Sequence, residues 1–163
     1  MAYGKVEPFR TSGGKAANVQ ASMIEIVNRQ RGRTINAKQW REFTGKALRA
    51  IGRDNVSATI VFVSDDAIRK LNRRFRGKSR ATDVLSFPAG SEAFEEEDGS
   101  HLGDVVISVE RAAAQAKANK LSFSSEVEQL ILHGLLHLCG YDHETDNGQM
   151  NQREVKLRKR LGI

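Results

Sequence analysis

The sequence predicts one domain of the α/β or α+β class, in which helices pack on a single mixed sheet. Its length of 163 residues is close to that of one domain. With 39% hydrophobic residues and only 2 prolines, its composition is that of an ordinary globular protein. From about residue 24 onward, about four strand-like segments alternate with about five helix-like segments, which is typical of a sheet covered by helices.

Strand and helix signals alternate through the first part of the chain. Residues 24–27 are a short apolar segment that predicts a first strand. Asn36 suits the N-cap of a helix whose apolar residues recur at spacings near three and four between residues 40 and 51. Residues 56–63 are rich in β-branched and aromatic side chains, and they give the clearest strand signal of the sequence.

The middle of the chain continues this alternation. Ser64 or Asp65 caps a helix that carries apolar residues on one side. Residues 82–87 predict a strand that Pro88 stops. A mobile acidic surface loop is predicted over residues 92–98, because the segment has no apolar period.

The last part of the chain is predicted to be mainly helical. A strand at residues 102–109 runs into an alanine-rich helix at residues 110–120. Ser122 is one of several candidate N-caps for a helix that extends to about residue 139. A final helix is predicted over about residues 144–161.

Positive charge is concentrated in the first half of the chain. Residues 1–80 contain 18 Lys and Arg against 6 Asp and Glu, whereas residues 81–163 contain 8 against 14. Seven of the twelve residues from 69 to 80, which we call the basic run, are Arg69, Lys70, Arg73, Arg74, Arg76, Lys78 and Arg80. Such a run indicates a protein that neutralises phosphates, with a solvated helix face as the alternative.

Other features predict a cytoplasmic protein that does not cross a membrane. The single cysteine, Cys139, rules out an intrachain disulfide, which favours a reducing compartment. The uncharged apolar stretch at residues 129–141 has 13 residues, fewer than the roughly 20 that a spanning helix needs. Residues 1–21 show no period and no secretory signal, so they are predicted to form a loose tail before a domain at residues 22–163.

Three of the four histidines lie within eleven residues, at positions 133, 137 and 143. His133 and His137 are four residues apart, so on a helix they project from the same side and can share one metal ion. Gly140 suits a left-handed helix end that reverses the chain. His143 can then approach as a third ligand, which predicts a metal site.

The ligand set favours zinc over magnesium or calcium, although nickel or another divalent metal can occupy such a site. Three protein ligands leave a position for water, as in catalytic zinc sites. The histidine spacing resembles that of the metzincin proteases, but Gly134 stands where those enzymes have their general-base glutamate. Peptide hydrolysis is therefore the weaker interpretation.

Three blocks of sequence carry a further resemblance. They are the histidine segment HGLLHLCGYDHETD at residues 133–146, the pair LNRRFRGK and ATDVLSFP within residues 71–88, and LGDVVIS at residues 102–108. Together and in this order they resemble the YbeY family, which are bacterial metal-dependent endoribonucleases of ribosomal RNA maturation. The resemblance covers about residues 55–160, and the one departure is Ala81, where the family often has proline.

The resemblance implies an α+β fold with the metal site at the end of a cleft. It implies a single-strand-specific endoribonuclease that acts in 3′-end maturation of 16S ribosomal RNA and in ribosome quality control. Its partners would be single-stranded RNA and the small ribosomal subunit. In the family, histidines that match His133, His137 and His143 bind one zinc ion, and an arginine that matches Arg76 is important for function.

The roles of further residues are hypotheses. Arg76 would clamp a phosphate of the RNA. Asp142 would orient a ligand histidine or accept a proton, with a hydrogen bond inside its own turn as the alternative. The remaining candidates for guiding single-stranded RNA are Arg73, Arg74, Lys78 and Arg80. Two other functions stay open, namely a zinc metallopeptidase-like hydrolase and a non-catalytic RNA-binding protein that zinc stabilises.

Overall fold

The computed structural model describes residues 23–90 and 100–163, which form four strands and five helices. In chain order these elements are β1 (Ile24–Asn28), α1 (Ala37–Ile51), β2 (Ser57–Val63), α2 (Asp65–Arg76), β3 (Val84–Pro88), β4 (His101–Ser108), α3 (Val109–Ala118), α4 (Phe123–Leu138) and α5 (Gln149–Leu161).

The four strands form one mixed sheet in the order β1-β2-β4-β3. The central strand β2 pairs in parallel with β1 and with β4, whereas β3 pairs antiparallel with β4. Parallel neighbours require crossover connections, and α1 provides the one between β1 and β2. The predicted α+β domain, with one mixed sheet of about four strands and about five helices, is confirmed.

The two faces of the sheet support two separate apolar cores. Ile60 and Phe62 of β2 belong to the larger core, which also contains buried residues of α1, α4 and α5. Val61 and Val63, which alternate with them along the strand, belong to the smaller core with Ile68 of α2. Helix α2 therefore lies on the opposite face of the sheet from α1 and α4.

The predicted caps of the first two helices are present. The side chain of Asn36 accepts a hydrogen bond from Gln39 N and begins α1. Ser64 accepts one from Ala67 N and begins α2. Each bond satisfies a backbone donor that the first helical turn leaves without an internal partner.

Strand β3 starts and ends later than the sequence predicted, at Val84 and at Pro88 itself. Pro88 pairs with Gly103 at the end of an edge strand, where the missing N–H removes no ladder hydrogen bond. Gly103 has φ +135°, and a Cβ atom there would overlap the Phe87 carbonyl oxygen. Pro88 can therefore be the last residue of β3 and still pair with β4.

Helix α5 begins at Gln149, five residues after the predicted start at about 144. The carboxylate of Asp146 explains the later start, because its two oxygens accept hydrogen bonds from Gly148 N and Met150 N, both at 2.8 Å. Gly148 has φ +93°, a conformation that favours glycine. Residues 142–148 are thus a turn that leads into the helix.

Two sequence predictions concern residues outside the described part of the chain, namely the tail at residues 1–21 and the acidic loop at residues 92–98. Within the described part, no helix has the length and apolar character that a membrane-spanning segment requires.

Candidate metal centre

Helix α4 packs on strands β3 and β4 and carries the first two histidines. Ser122 caps its start by accepting a hydrogen bond from Ser125 N at 3.0 Å. The helix buries an apolar face that includes Val127, Ile131 and Leu135, each fully buried. His133 and His137 are only partly buried, one turn apart on the same side of the helix.

The end of α4 reverses the chain toward these two histidines. Gly140 has φ +94°, as predicted for the residue that ends the helix. Tyr141 N donates to Leu136 O at 3.1 Å, and Gly140 N donates to His137 O at 3.0 Å. This pair of bonds is the Schellman arrangement, in which a left-handed residue satisfies the last helical carbonyls.

The reversal brings the exposed His143 to the other two imidazoles. The His143 ring centroid lies 5.5 Å from that of His133 and 5.2 Å from that of His137. One nitrogen from each of the three rings lies within 4.8 Å of the others. Three histidines that are local in sequence are therefore also a single cluster in space.

The distance between the first two donor atoms suits one metal ion. The Nε2 atoms of His133 and His137 are 3.2 Å apart. Two ligands of a tetrahedral ion with bonds of about 2.0–2.1 Å have donor atoms about 3.3 Å apart. Burial, followed by the charges of His133 and His143, lowers the pKa of His137 and favours the neutral imidazole that binds a metal. The three histidines can therefore hold a metal ion.

The second ring nitrogen of His133 is engaged by α5. His133 Nδ1 lies 3.0 Å from Glu154 Oε2, and Arg158 donates to Glu154 Oε1 at 2.6 Å. Burial raises the pKa of Glu154, but the hydrogen bonds and charges of His133 and Arg158 outweigh it and hold that pKa below its ordinary value. The sequence prediction missed Glu154. The sequence contains an indication of its role, because Glu154 lies at helical spacing between the apolar residues Met150 and Leu157.

Arg76 lies beside the loop that carries the third histidine. It is the last residue of α2, which ends where Gly77 adopts a left-handed conformation. Arg76 Nη2 is 3.9 Å from Glu144 Oε1, and Glu144 directly follows His143. The two side chains are 39% and 60% exposed, so this pair contributes little stability by itself. The contact brings an arginine from the opposite face of the sheet to the histidine loop.

The other predicted RNA-binding residues surround the end of α2. All four are exposed, and they are Arg73, Arg74, Lys78 and Arg80. The turn that carries Lys78 and Arg80 is fixed by the buried Asn72. Its side-chain Nδ2 donates to Arg80 O at 2.9 Å, and its main-chain carbonyl accepts from Lys78 N at 3.3 Å. The basic run therefore presents its charge to solvent on a defined scaffold.

Asp142 lies in the turn between His137 and His143. Its Oδ1 accepts a hydrogen bond from Glu144 N at 3.0 Å, which is the turn contact that the sequence offered as an alternative role. The charge of Asp142 also acts on His137, where it opposes the lowering of the histidine pKa. Asp142 is exposed, so its carboxylate is accessible from solvent.

Gly134 marks the closest approach of α4 to the sheet. A Cβ atom at this position would lie 2.5 Å from Val105 Cγ1 and 3.2 Å from Ser86 Oγ. Ser86 Oγ also donates to the Gly134 carbonyl at 3.2 Å. A glutamate here would have to enter the packed interface between helix and sheet, so this backbone has no room for the metzincin general base.

Cys139 lies outside the three-histidine cluster. It is half-buried and lines a surface cavity with Ile51, Arg53, Gly140 and Tyr141. Burial raises the pKa of its thiol, which disfavours the thiolate form that binds metals.

Comparison with known proteins gives one family. The family described as Endoribonuclease YbeY matches residues 25–162. A relative named endoribonuclease YbeY, from Anaeromyxobacter sp. (strain Fw109-5), is 42% identical over 135 residues, which cover 82% of this chain and 68% of the relative. Another of that name, from Geobacter sulfurreducens, is 36% identical over 137 residues, which cover 84% and 91% of the two chains.

A solved structure has a similar fold. The solution structure of TM1509 from Thermotoga maritima is similar to this chain with a TM-score of 0.57 and 29% sequence identity. The match covers 85% of this chain and 89% of that protein.

Proposed function

The chain belongs to the YbeY family of endoribonucleases, and from this membership we propose that it is a zinc-dependent enzyme that cleaves single-stranded ribosomal RNA. The observation that carries the proposal is the convergence of His133, His137 and His143 beside Arg76. A metal-binding cluster next to an exposed arginine provides what phosphodiester cleavage requires, namely a site for a cation and a group that binds phosphate.

Zinc is the metal that these residues suit best. Imidazole donors are typical of zinc sites, and three protein ligands leave a further position open. When bound there, zinc supplies a Lewis acid that polarises a phosphoryl oxygen and lowers the pKa of water. Nickel or another divalent metal can occupy the same donors in a purified sample.

The arginine and lysine side chains bind and orient the RNA. Arg76 presents a planar set of N–H donors that matches two phosphate oxygens, so it holds the RNA backbone near the histidines. Arg73, Arg74, Lys78 and Arg80 add binding that depends on phosphate charge and not on base sequence. We assign these four residues to substrate binding because all of them are exposed around the end of α2.

Asp142 is our candidate for accepting a proton during cleavage. It is exposed, it is adjacent to His143 in the chain, and its charge acts on His137. Its turn hydrogen bond uses one carboxylate oxygen, Oδ1. A carboxylate can accept through either oxygen, so the turn bond and proton transfer are compatible.

The biological setting is proposed from the resemblance to the family. We propose a role in maturation of the 3′ end of 16S ribosomal RNA and in ribosome quality control, with the small ribosomal subunit as partner in the cytoplasm. The endoribonuclease domain would span residues 22–163, after a tail at residues 1–21. The family match over residues 25–162 supports this domain boundary.

Two other functions are less well supported. A metallopeptidase of the metzincin type needs a glutamate where Gly134 packs against Val105, and the interface leaves no space for one. In a non-catalytic RNA-binding protein, the metal would only stabilise the fold. An exposed third histidine argues against that role, because structural zinc sites are closed by a fourth protein ligand.

The decisive experiment combines metal content with cleavage of single-stranded fragments of 16S ribosomal RNA. We expect the wild type to contain about one zinc per chain and to cut the RNA. We expect His137→Ala to lose both the zinc and the cutting. Arg76→Glu should keep the zinc and lose most of the cleavage, because it places a negative charge where phosphate binds.

The matched control is His101→Ala, which removes the histidine that lies outside the cluster. His101 lies in β4 and hydrogen-bonds Ser57, away from the cluster. Equal cleavage by His137→Ala and the wild type would contradict the proposal and would indicate a contaminating ribonuclease. Zinc-dependent cleavage of an unfolded protein in place of RNA would favour the peptidase.

A further inference from the structure

Glu154 links the histidine cluster to the helix that packs behind it. The residue is only 7% exposed, and it lies on the same side of α5 as Met150 and Leu157, which are buried hydrophobic residues. A carboxylate in such a stripe is unfavourable unless charged or hydrogen-bonding partners compensate for the water it loses. Packing alone therefore does not account for a glutamate at this position.

Both carboxylate oxygens of Glu154 have partners, and the two partners differ in kind. Oε1 accepts from Arg158 NH2 at 2.6 Å, one turn further along α5. Oε2 lies 3.0 Å from Nδ1 of His133 in α4. Arg158 therefore fixes the carboxylate on its own helix, and the carboxylate reaches across to a histidine of the metal cluster.

This contact determines which nitrogen of His133 carries the proton. An ionised carboxylate can only accept hydrogen bonds, so Nδ1 of His133 must be the donor. A neutral imidazole has one N–H, which leaves Nε2 with its lone pair. Nε2 is also the atom that lies 3.2 Å from Nε2 of His137, inside the cluster.

We propose that Glu154, held by Arg158, is a positioning residue that keeps His133 in its Nδ1–H tautomer and directs the Nε2 lone pair toward the metal. The inference rests on the proposed metal site, and it extends that site to two residues that are not ligands. Its effect is to orient the ligand before the metal binds, which removes an ordering cost from binding and raises the affinity.

The test measures the dissociation constant for Zn²⁺ by competition with a chromophoric chelator. We expect Glu154→Gln and Glu154→Leu to bind zinc about 10–100-fold more weakly than the wild type. The matched control is Glu128→Gln, which replaces a partly buried glutamate of α4. The charge that acts on Glu128 is that of Lys46 on α1, so we expect its zinc affinity to be unchanged.

Two readouts separate positioning from a purely structural role. These readouts are the zinc affinity, which should fall in Glu154→Leu, and the tautomer of His133. The melting temperature of the metal-free protein should fall in either case, because the variant leaves Arg158 without its carboxylate partner. Nitrogen-15 NMR of the metal-free protein should show His133 as the Nδ1–H tautomer in the wild type. In Glu154→Leu this preference should be lost. A structural role would change the melting temperature and leave the tautomer and the affinity as they are.

The possible failures can be told apart with His137→Ala, which removes a ligand and leaves Glu154 in place. If this variant loses zinc but both Glu154 variants bind it as tightly as the wild type, the positioning role is wrong and the metal site stands. An Nε2–H tautomer of His133 in the wild type would also overturn the positioning role. If His137→Ala keeps the wild-type affinity, the metal site itself is wrong and both proposals fail.

Discussion

Two buried glutamates, Glu126 and Glu154, differ in how the fold compensates for their charge. Glu154 has a partner for each carboxylate oxygen. Glu126 is 4% exposed, and its Oε2 has no hydrogen-bond partner within the described part of the structure. Burial raises the pKa of Glu126, and the charge of Asp83 adds to the rise. The folded state therefore disfavours the ionised form of Glu126.

This difference predicts a pH-dependent effect of Glu126→Gln on the stability of the metal-free protein. The pKa of Glu126 is higher in the folded state than in the unfolded state. At a pH below the unfolded-state pKa, Glu126 is protonated in both states and does not destabilise the protein. The destabilisation develops as the pH rises through the folded-state pKa, because the buried carboxyl must then ionise. At pH 7 we expect the variant to be about 1 kcal/mol more stable than the wild type. Urea denaturation at pH 7 and at pH 4 measures the change.

The exposed Glu42 of α1 provides the control for that comparison. Glu42→Gln should change stability little at either pH, since surface substitutions rarely exceed about 0.5 kcal/mol. A gain from Glu126→Gln that is equally large at both pH values would show that packing, and not charge, is responsible.

Asp142 can be tested without disturbing the turn in which it lies. Asp142→Asn keeps a side-chain oxygen that can accept from Glu144 N and removes only the carboxylate charge. If Asp142 accepts the proton, cleavage should fall by about 100-fold or more while zinc content and melting temperature stay unchanged. Single-turnover cleavage at saturating protein measures the effect. A wild-type cleavage rate in Asp142→Asn would show that Asp142 forms the turn hydrogen bond and does not accept the proton.

At the scale of secondary-structure elements, the packing of α4 on the sheet positions the histidines. The helix approaches β4 and β3 so closely that Gly134 has no space for a side chain. The histidines at positions 133 and 137 belong to this helix, so their position relative to the sheet depends on the same interface. A change in the approach of α4 would move two of the three histidines of the cluster together.

Two glycines in helices provide a test of that interface with opposite expected signs. Gly134→Ala should destabilise the protein by about 1–3 kcal/mol, because its Cβ would overlap Val105. Gly45→Ala in α1 should stabilise it by about 0.5–1 kcal/mol, because alanine favours the helix more than glycine does. At Gly45 the nearest atoms to a Cβ are 3.5 Å away, an ordinary contact distance. Thermal unfolding measures both.

The side chain of Val105 allows the cause to be isolated. In a Val105→Ala background the overlapping methyl groups are gone, so Gly134→Ala should cost less than it does in the wild type. An equal cost in both backgrounds would show that the tight contact with β4 is not the reason for glycine at position 134.

At the scale of the whole molecule, positive charge is divided between the two faces of the sheet. The basic run lies on α2 and in the turn after it, whereas Lys46 and other cations lie on α1, which covers the opposite face. The last residue of α2, Arg76, contacts Glu144, which directly follows His143. The proposed RNA path therefore uses one of the two charged surfaces.

Salt dependence of RNA binding separates these two surfaces. With metal-free protein, so that RNA is not cut, the logarithm of the association constant should fall linearly with the logarithm of salt concentration. We expect Arg73→Gln and Lys78→Gln each to reduce the slope by about 0.7, the value for one lost phosphate contact on single-stranded RNA. Lys46→Gln on α1 should leave the slope unchanged. An equal reduction from all three variants would indicate binding through diffuse charge.

Much of the fold could be predicted because its signals are local. Asn36 and Ser64 begin helices at the predicted positions, since a cap is a hydrogen bond between residues three apart. The predicted start of α5 was wrong, because the Asp146 carboxylate accepts hydrogen bonds from Gly148 N and Met150 N. In a helix that began at residue 144, these two N–H groups would donate to backbone carbonyls. The apolar pattern alone gave no sign of that competition.

The three-histidine cluster could be inferred from local sequence, because a four-residue spacing on a helix and a left-handed glycine act over a single turn of chain. The groups that surround the cluster depend on how distant elements pack. Glu154 reaches His133 from 21 residues away, and Arg76 arrives from the other face of the sheet. Local signals follow from the geometry of the backbone, whereas these neighbours are set by how α2 and α5 pack, which depends on the whole set of buried contacts.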